Sequence, residues 1–87
     1  MTHKIIYSLT TDKGVHEYVS TISRCENAQQ AAECGWRSAN FNAAVMTLGR
    51  GEEKFIKLTA KDENGNVLKE SDVLEAKLNK HGKVKLL

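Results

Sequence analysis

Apolar and polar residues alternate from Lys4 to Thr10, which puts Ile5, Tyr7 and Leu9 on one face of a predicted strand. Thr11-Asp12-Lys13-Gly14 then reads as a tight turn, with Asp opening it and Gly closing it in the left-handed region. His16 to Ile22 supplies the return strand, rich in β-branched and aromatic residues. The period then changes. Ala28, Ala31, Ala32, Gly35 and Ala39 recur at helical spacing behind Asn27, a capping residue, with Gln30 three positions on. A stripe made of Ala and Gly lets a helix lie close to a sheet, which accounts for Gly35 despite its cost of about 1 kcal/mol in helix propensity. Trp36 falls at the margin of that stripe. Phe41 to Leu48 fits two patterns: Asn42, Ala43 and Met46 extend the helix toward a cap at Gly49, whereas Phe41, Ala43, Val45 and Thr47 alternate as a strand would. We read continued helix, with an irregularity near Ser38 to Asn40.

Beyond the connection Gly49-Arg50-Gly51, Lys54 to Lys61 alternates cleanly, with Ile56, Leu58 and Ala60 on one face and Phe55, Lys57, Thr59 and Lys61 on the other. Glu63-Asn64-Gly65-Asn66 is a hairpin turn into a partner strand that begins at Val67. Ser71, with Asp72 and Glu75 behind it, is placed to cap a short helix that His81-Gly82 would stop. Lys83 to Leu87 is either a last short strand or a frayed end. The order β-β-α-β-β predicts an α+β fold, an antiparallel sheet of two hairpins with one main helix packed on a face. With 87 residues and no repeat, linker or low-complexity segment, residues 1–87 are expected to form a single domain. An exposed edge on the first or last strand could pair two copies into a homodimer.

Composition narrows the setting. No apolar run approaches the ~18 residues of a membrane span, and no apolar leader precedes the first strand, so a cytoplasmic protein without membrane contact is expected. Two cysteines are too few for a secreted disulfide scaffold. The net charge of +2 is unevenly spread. Lys77, Lys80, Lys83 and Lys85 fall within the last twelve residues, which carry no acidic side chain.

Candidate chemistry is sparse. His3, His16, Cys25, Cys34 and His81 show none of the short spacings of structural zinc sites. Along one helix Cys25 and Cys34 would lie about 13 Å apart, too far for a common metal ion or a disulfide, so both read as packing residues. Glu52-Glu53 and Asp62-Glu63 occupy strand edges or turns, where carboxylates are normally solvated rather than held in a dry pocket. Neither enzyme activity nor a cofactor is expected. What remains is binding. Trp36 and Arg37 are of the residue types enriched at interface hot spots, and with Arg50, Phe55, Lys57 and Lys61 they form a candidate protein-binding surface. The alternative is single-stranded nucleic acid on a basic and aromatic strand face, through Arg50, Lys54, Lys57 and Lys61 with the tail lysines Lys80, Lys83 and Lys85. The recognition motifs of the common nucleic-acid modules are absent.

From Ile5 to Leu68, with Glu26-Asn27-Ala28-Gln29-Gln30-Ala31-Ala32 marking the passage from strand to helix, the layout resembles small phage or mobile-element inhibitors of the anti-CRISPR type. That resemblance implies non-catalytic docking onto a bacterial defence or host complex. It carries over no functional residue, because these proteins share no diagnostic motif. Nucleic-acid mimics among them tend to be strongly acidic, and this chain is mildly basic, so steric blockade is the mode implied.

Overall fold

A computed structural model describes residues 1–87. The first hairpin pairs β1 (His3–Thr11) with β2 (Gly14–Ile22) in an unbroken register from His3↔Ile22 to Thr11↔Gly14. Helix α1 (Ala28–Ala44) comes next and passes directly into a π-helical turn, Val45–Gly49. The second hairpin joins β3 (Phe55–Lys61) to β4 (Val67–Ser71), and β5 (Ala76–Leu78) pairs with β6 (Val84–Leu86) in a separate small ribbon. β1 also pairs with β3, which gives one antiparallel sheet in the order β2-β1-β3-β4. The fold is α+β, with α1 packed on one face of this sheet. No helix is long and apolar enough to cross a membrane.

The core lies between α1 and the sheet. Ile5, Tyr7 and Leu9 of β1 and Leu58 and Ala60 of β3 meet Ala31, Ala32, Ala39 and Ala43 of the helix. Small helix residues bring the two layers close, and the Tyr7 hydroxyl donates to the Ala32 carbonyl at 3.1 Å. The helix starts as its sequence implies: the Asn27 side chain accepts from the Gln30 N–H at 2.8 Å, and the Gln30 side chain accepts from the Glu26 N–H.

Four expectations need correction. The helix is regular through Ser38 to Asn40, and its irregularity is the wider turn at Val45–Gly49, where the Arg50 N–H donates to the Val45 carbonyl. Gly51, at φ +69°, takes the left-handed position expected of Gly49. No helix forms after Ser71. Its hydroxyl is engaged in a local turn with Val73, and buried Asn40 of α1 accepts the Glu75 N–H at 3.1 Å, pinning the bent, non-helical connection that leads into β5. Finally, β3 does not alternate throughout. A bulge at Ile56, where Thr10 faces Lys57 but Thr11 faces Phe55, turns Phe55 onto the core and leaves Ile56 50% exposed.

Candidate partner-binding surface

The two edges of the sheet differ. β4 is short, carries Lys69 and is interrupted by a register shift opposite Ala60/Lys61. Lysines, bulges and short length are the usual means of blunting an edge. β2 has none of them: nine residues, no lysine, no proline and no register shift. Its outward row displays Val15 and Val19, each 60% exposed. Its inward row, Tyr18, Ser20 and Ile22, forms one wall of a trough whose other wall is α1 at Cys34, Ser38 and Asn42. Tyr7 and Gly35 also line it, and its volume is about 300 Å³. Tyr18 is fixed there by stacking on Tyr7, with ring centroids 5.5 Å apart, and by the Asn42 amide, which donates to its hydroxyl at 3.5 Å. Burial raises the pKa of both phenols, that of Tyr7 to about 12, so each stays a neutral hydroxyl. Cys34, Ser38 and Asn42 also border a second depression of about 580 Å³, which runs across the exposed side of the helix past Arg37 and Phe41 to Leu86.

On the sheet face away from the helix the β3 lysines are paired with carboxylates. Ser8 and Thr59 sit at the centre of this face, donating to Glu17 at 2.6 Å and to Glu70 at 3.3 Å. Lys61 pairs with Glu17 at 3.0 Å and Lys57 with Glu70 at 3.6 Å. The Glu17 carboxyl is held below the usual carboxylate range by the Ser8 hydroxyl first and by Lys61 second. At the end of the sheet, His16 and Thr11 both donate to the same Glu53 oxygen, at 2.7 and 2.9 Å, and this lowers the Glu53 pKa. Hydroxyl and imidazole therefore both serve the carboxylate, and no hydroxyl–imidazole pair of the nucleophile–base kind is formed.

The residues singled out from sequence scatter over this structure. Trp36 is 4% exposed, a core residue, and not the docking residue expected. It lies four positions after Ala32 and three before Ala39, so helical geometry puts it on the buried stripe. Its indole N–H has no partner, and the Lys69 ammonium stands 5.1 Å over its ring. Phe55 is turned away from Lys57 and Lys61 by the bulge and borders a separate depression with Lys54, Leu48 and Leu74. Lys57 and Lys61 do share a face, but each is neutralised by a carboxylate. Arg50 is exposed at the end of the π-helical turn, and Arg37 alone among the protein-binding candidates borders the surface that continues the trough. Lys80, Lys83 and Lys85 belong to the β5–β6 ribbon, where Lys77 and Lys85 face each other across the strands and no lysine has an ion-pair partner.

Tyr18, Ile22, Ser38 and Asn42 were missed by the sequence reading. The one signal that could have found them is the proline- and lysine-free strand from His16 to Ile22, adjacent in sequence to a helix with a thin, small-residue face. No protein-family model, curated protein or solved structure matches this chain.

Proposed function

We propose that the chain is a non-catalytic protein-binding module that takes an extended segment of a partner protein as an added strand along β2. The observation that carries this reading is the regular nine-residue free edge running beside a trough under α1. An edge strand offers a row of unpaired N–H and C=O groups, and an adjoining pocket selects alternate side chains of whatever pairs with it. A trough of about 300 Å³ suits one or two medium apolar side chains, and the depression past Arg37 and Phe41 can receive the next residues of the same segment. In keeping with the anti-CRISPR-type layout, we take the partner to belong to a bacterial defence or host complex in the cytoplasm, inhibited by steric docking. A second copy of the chain would compete for the same edge, since β2 can meet itself about a two-fold axis with Val19 opposite Val19.

A second reading has one observation in its favour. The like-charged pair Lys77–Lys85 with Lys80 and Lys83 makes the β5–β6 ribbon, not the sheet face, the place for a polyanion such as nucleic acid.

Capture from a bacterial lysate, with and without nuclease and at low and high salt, separates these readings when it includes two variants at exposed positions. Val19→Lys places a charge beside the β2 edge, and Ser38→Trp fills the trough. The expected result is a stoichiometric protein that survives nuclease and salt and binds each variant about tenfold more weakly, a loss of roughly 1.4 kcal/mol. Equal retention by wild type and both variants would remove β2 from the site. Recovery that vanishes with nuclease or salt would transfer the function to the ribbon. A dimer seen by light scattering and lost in Val19→Lys would assign the edge to self-association.

A further inference from the structure

Two thiols that the sequence spacing seemed to keep apart lie against each other. Cys25 is not on the helix. It sits in the β2–α1 connection, where its N–H donates to the Met1 carbonyl at 3.3 Å and its carbonyl accepts from His3 Nε2 at 3.2 Å. These bonds hold it beside the second turn of α1, with its Sγ 3.8 Å from that of Cys34. The expected 13 Å separation fails because it assumed one continuous helix through both residues. The two are unequal. Cys25 is buried at 4% exposure, whereas Cys34 is exposed and lines the trough. No third metal-ligating side chain joins them, which leaves thiol–disulfide chemistry rather than metal binding as what the pair is built to do.

We propose that Cys25 and Cys34 form a reversible intramolecular disulfide by exchange with a small disulfide of the glutathione type. The Cys34 thiolate attacks one sulfur of glutathione disulfide, which forms a mixed disulfide and releases one glutathione thiolate. Cys25, its proton passed to solvent, then attacks the Cys34 sulfur and expels the second glutathione thiolate. Both released thiolates are protonated, so two protein thiols are oxidised, one glutathione disulfide is reduced to two thiols, and protons balance. Exposure fixes this order. Burial also raises the pKa of the Cys25 thiol, which suits it to the resolving step rather than the first attack. Closing the bond requires the sulfurs to move from 3.8 Å to roughly 2 Å. It would draw the Cys34 sulfur toward Cys25 and change the trough wall. That last consequence rests on the binding reading, whereas the disulfide does not.

The free protein is sufficient for the test. Trypsin cleaves after Arg24 and Arg37 and leaves both cysteines on one peptide. After incubation with glutathione disulfide and acid quenching, that peptide should be lighter by two hydrogens, carry no glutathione, and regain its mass with dithiothreitol. Cys25→Ser, or Cys25→Ala if the serine variant folds poorly, should instead keep a glutathione adduct on Cys34. Cys34→Ser should stay unmodified, and in the reduced wild type iodoacetamide should label Cys34 at least about tenfold faster than Cys25. A stable adduct on wild-type Cys34, or undiminished alkylation of both thiols after oxidant treatment, would overturn the proposal.

Discussion

At Gly35 the helix packs tightly on the sheet, and its environment fixes what can stand there. A Cβ at this position would lie 2.1 Å from the Tyr7 hydroxyl and 2.8 Å from Ile22 Cδ1. Ile22 can rotate at its far end. Tyr7 cannot retreat, because it is 1% exposed and its hydroxyl is bonded to Ala32. Gly35→Ala should therefore destabilise the fold by about 1–3 kcal/mol through overpacking, outweighing the gain of about 1 kcal/mol in helix propensity. Urea unfolding of a double-mutant cycle checks the cause. Tyr7→Phe removes the clashing oxygen, so Gly35→Ala should cost much less in the Tyr7→Phe background than in wild type. Additive effects would place the cost elsewhere. Close packing at Gly35 was legible in the sequence, since a glycine inside an alanine stripe has few other purposes. Trp36 was not: a stripe recognised by small residues hides a large one that shares its face.

At the scale of elements, periodicity revealed which segments are strands and helix, and local geometry decided which way their side chains point. Lys57 to Lys61 alternates as read, but the bulge at Ile56 exchanges the roles of its neighbours: Phe55 packs on the core and Ile56 is half exposed. A bulge adds one residue to one strand and leaves no mark in a hydrophobicity pattern. Phe55→Ala should accordingly cost about 1–3 kcal/mol, and Ile56→Ala no more than about 0.5 kcal/mol. Comparing their denaturant midpoints tests this, since strict alternation demands the reverse order. The C-terminal ribbon was hidden for a different reason. Ser71, Asp72 and Glu75 carry a helix-start signal, yet the bond from Glu75 to Asn40 comes from a residue 35 positions away, and no local window contains it. The edge strand β2 and the helix beside it were each legible, but the trough between them exists only once the hairpin register and helix placement are set.

The molecule as a whole is joined by carboxylates, and this too could not be read along the chain. Glu17 ties β2 to β3 through Lys61, Glu53 ties the entry of β3 to β2 through His16, Glu70 pairs with Lys57 across β3 and β4, and Glu33 ties α1 to β4 through Lys69. These pairs turn what reads as a basic strand face into a neutral one, which weakens the sheet as a nucleic-acid surface. They also set the response to acid. The carboxyls of Glu17 and Glu53 are held below their ordinary value of 4.5, chiefly by hydrogen bonds from Ser8 and from His16. Asp62 is held below 3.8, chiefly by Asn66 in the β3–β4 turn. In each case the unfolded chain takes up the proton at higher pH than the folded one. The stabilisation is then complete above the unfolded values and is lost as pH falls through the lowered folded ones. Stability by urea unfolding should stay level in this respect from neutral pH to about 5 and decline steeply below about 4. Glu53→Gln should be less stable than wild type at neutral pH, with a shallower acid decline, so that the two curves converge toward low pH. Glu17→Gln should do the same more weakly, because its side chain is 51% exposed against 16% for Glu53 and solvent screens its pairing. Parallel curves for wild type and Glu53→Gln would mean that the Glu53 cluster does not govern the acid response. Convergence would show that the fold's acid limit is set where the end of β2 meets the entry to β3.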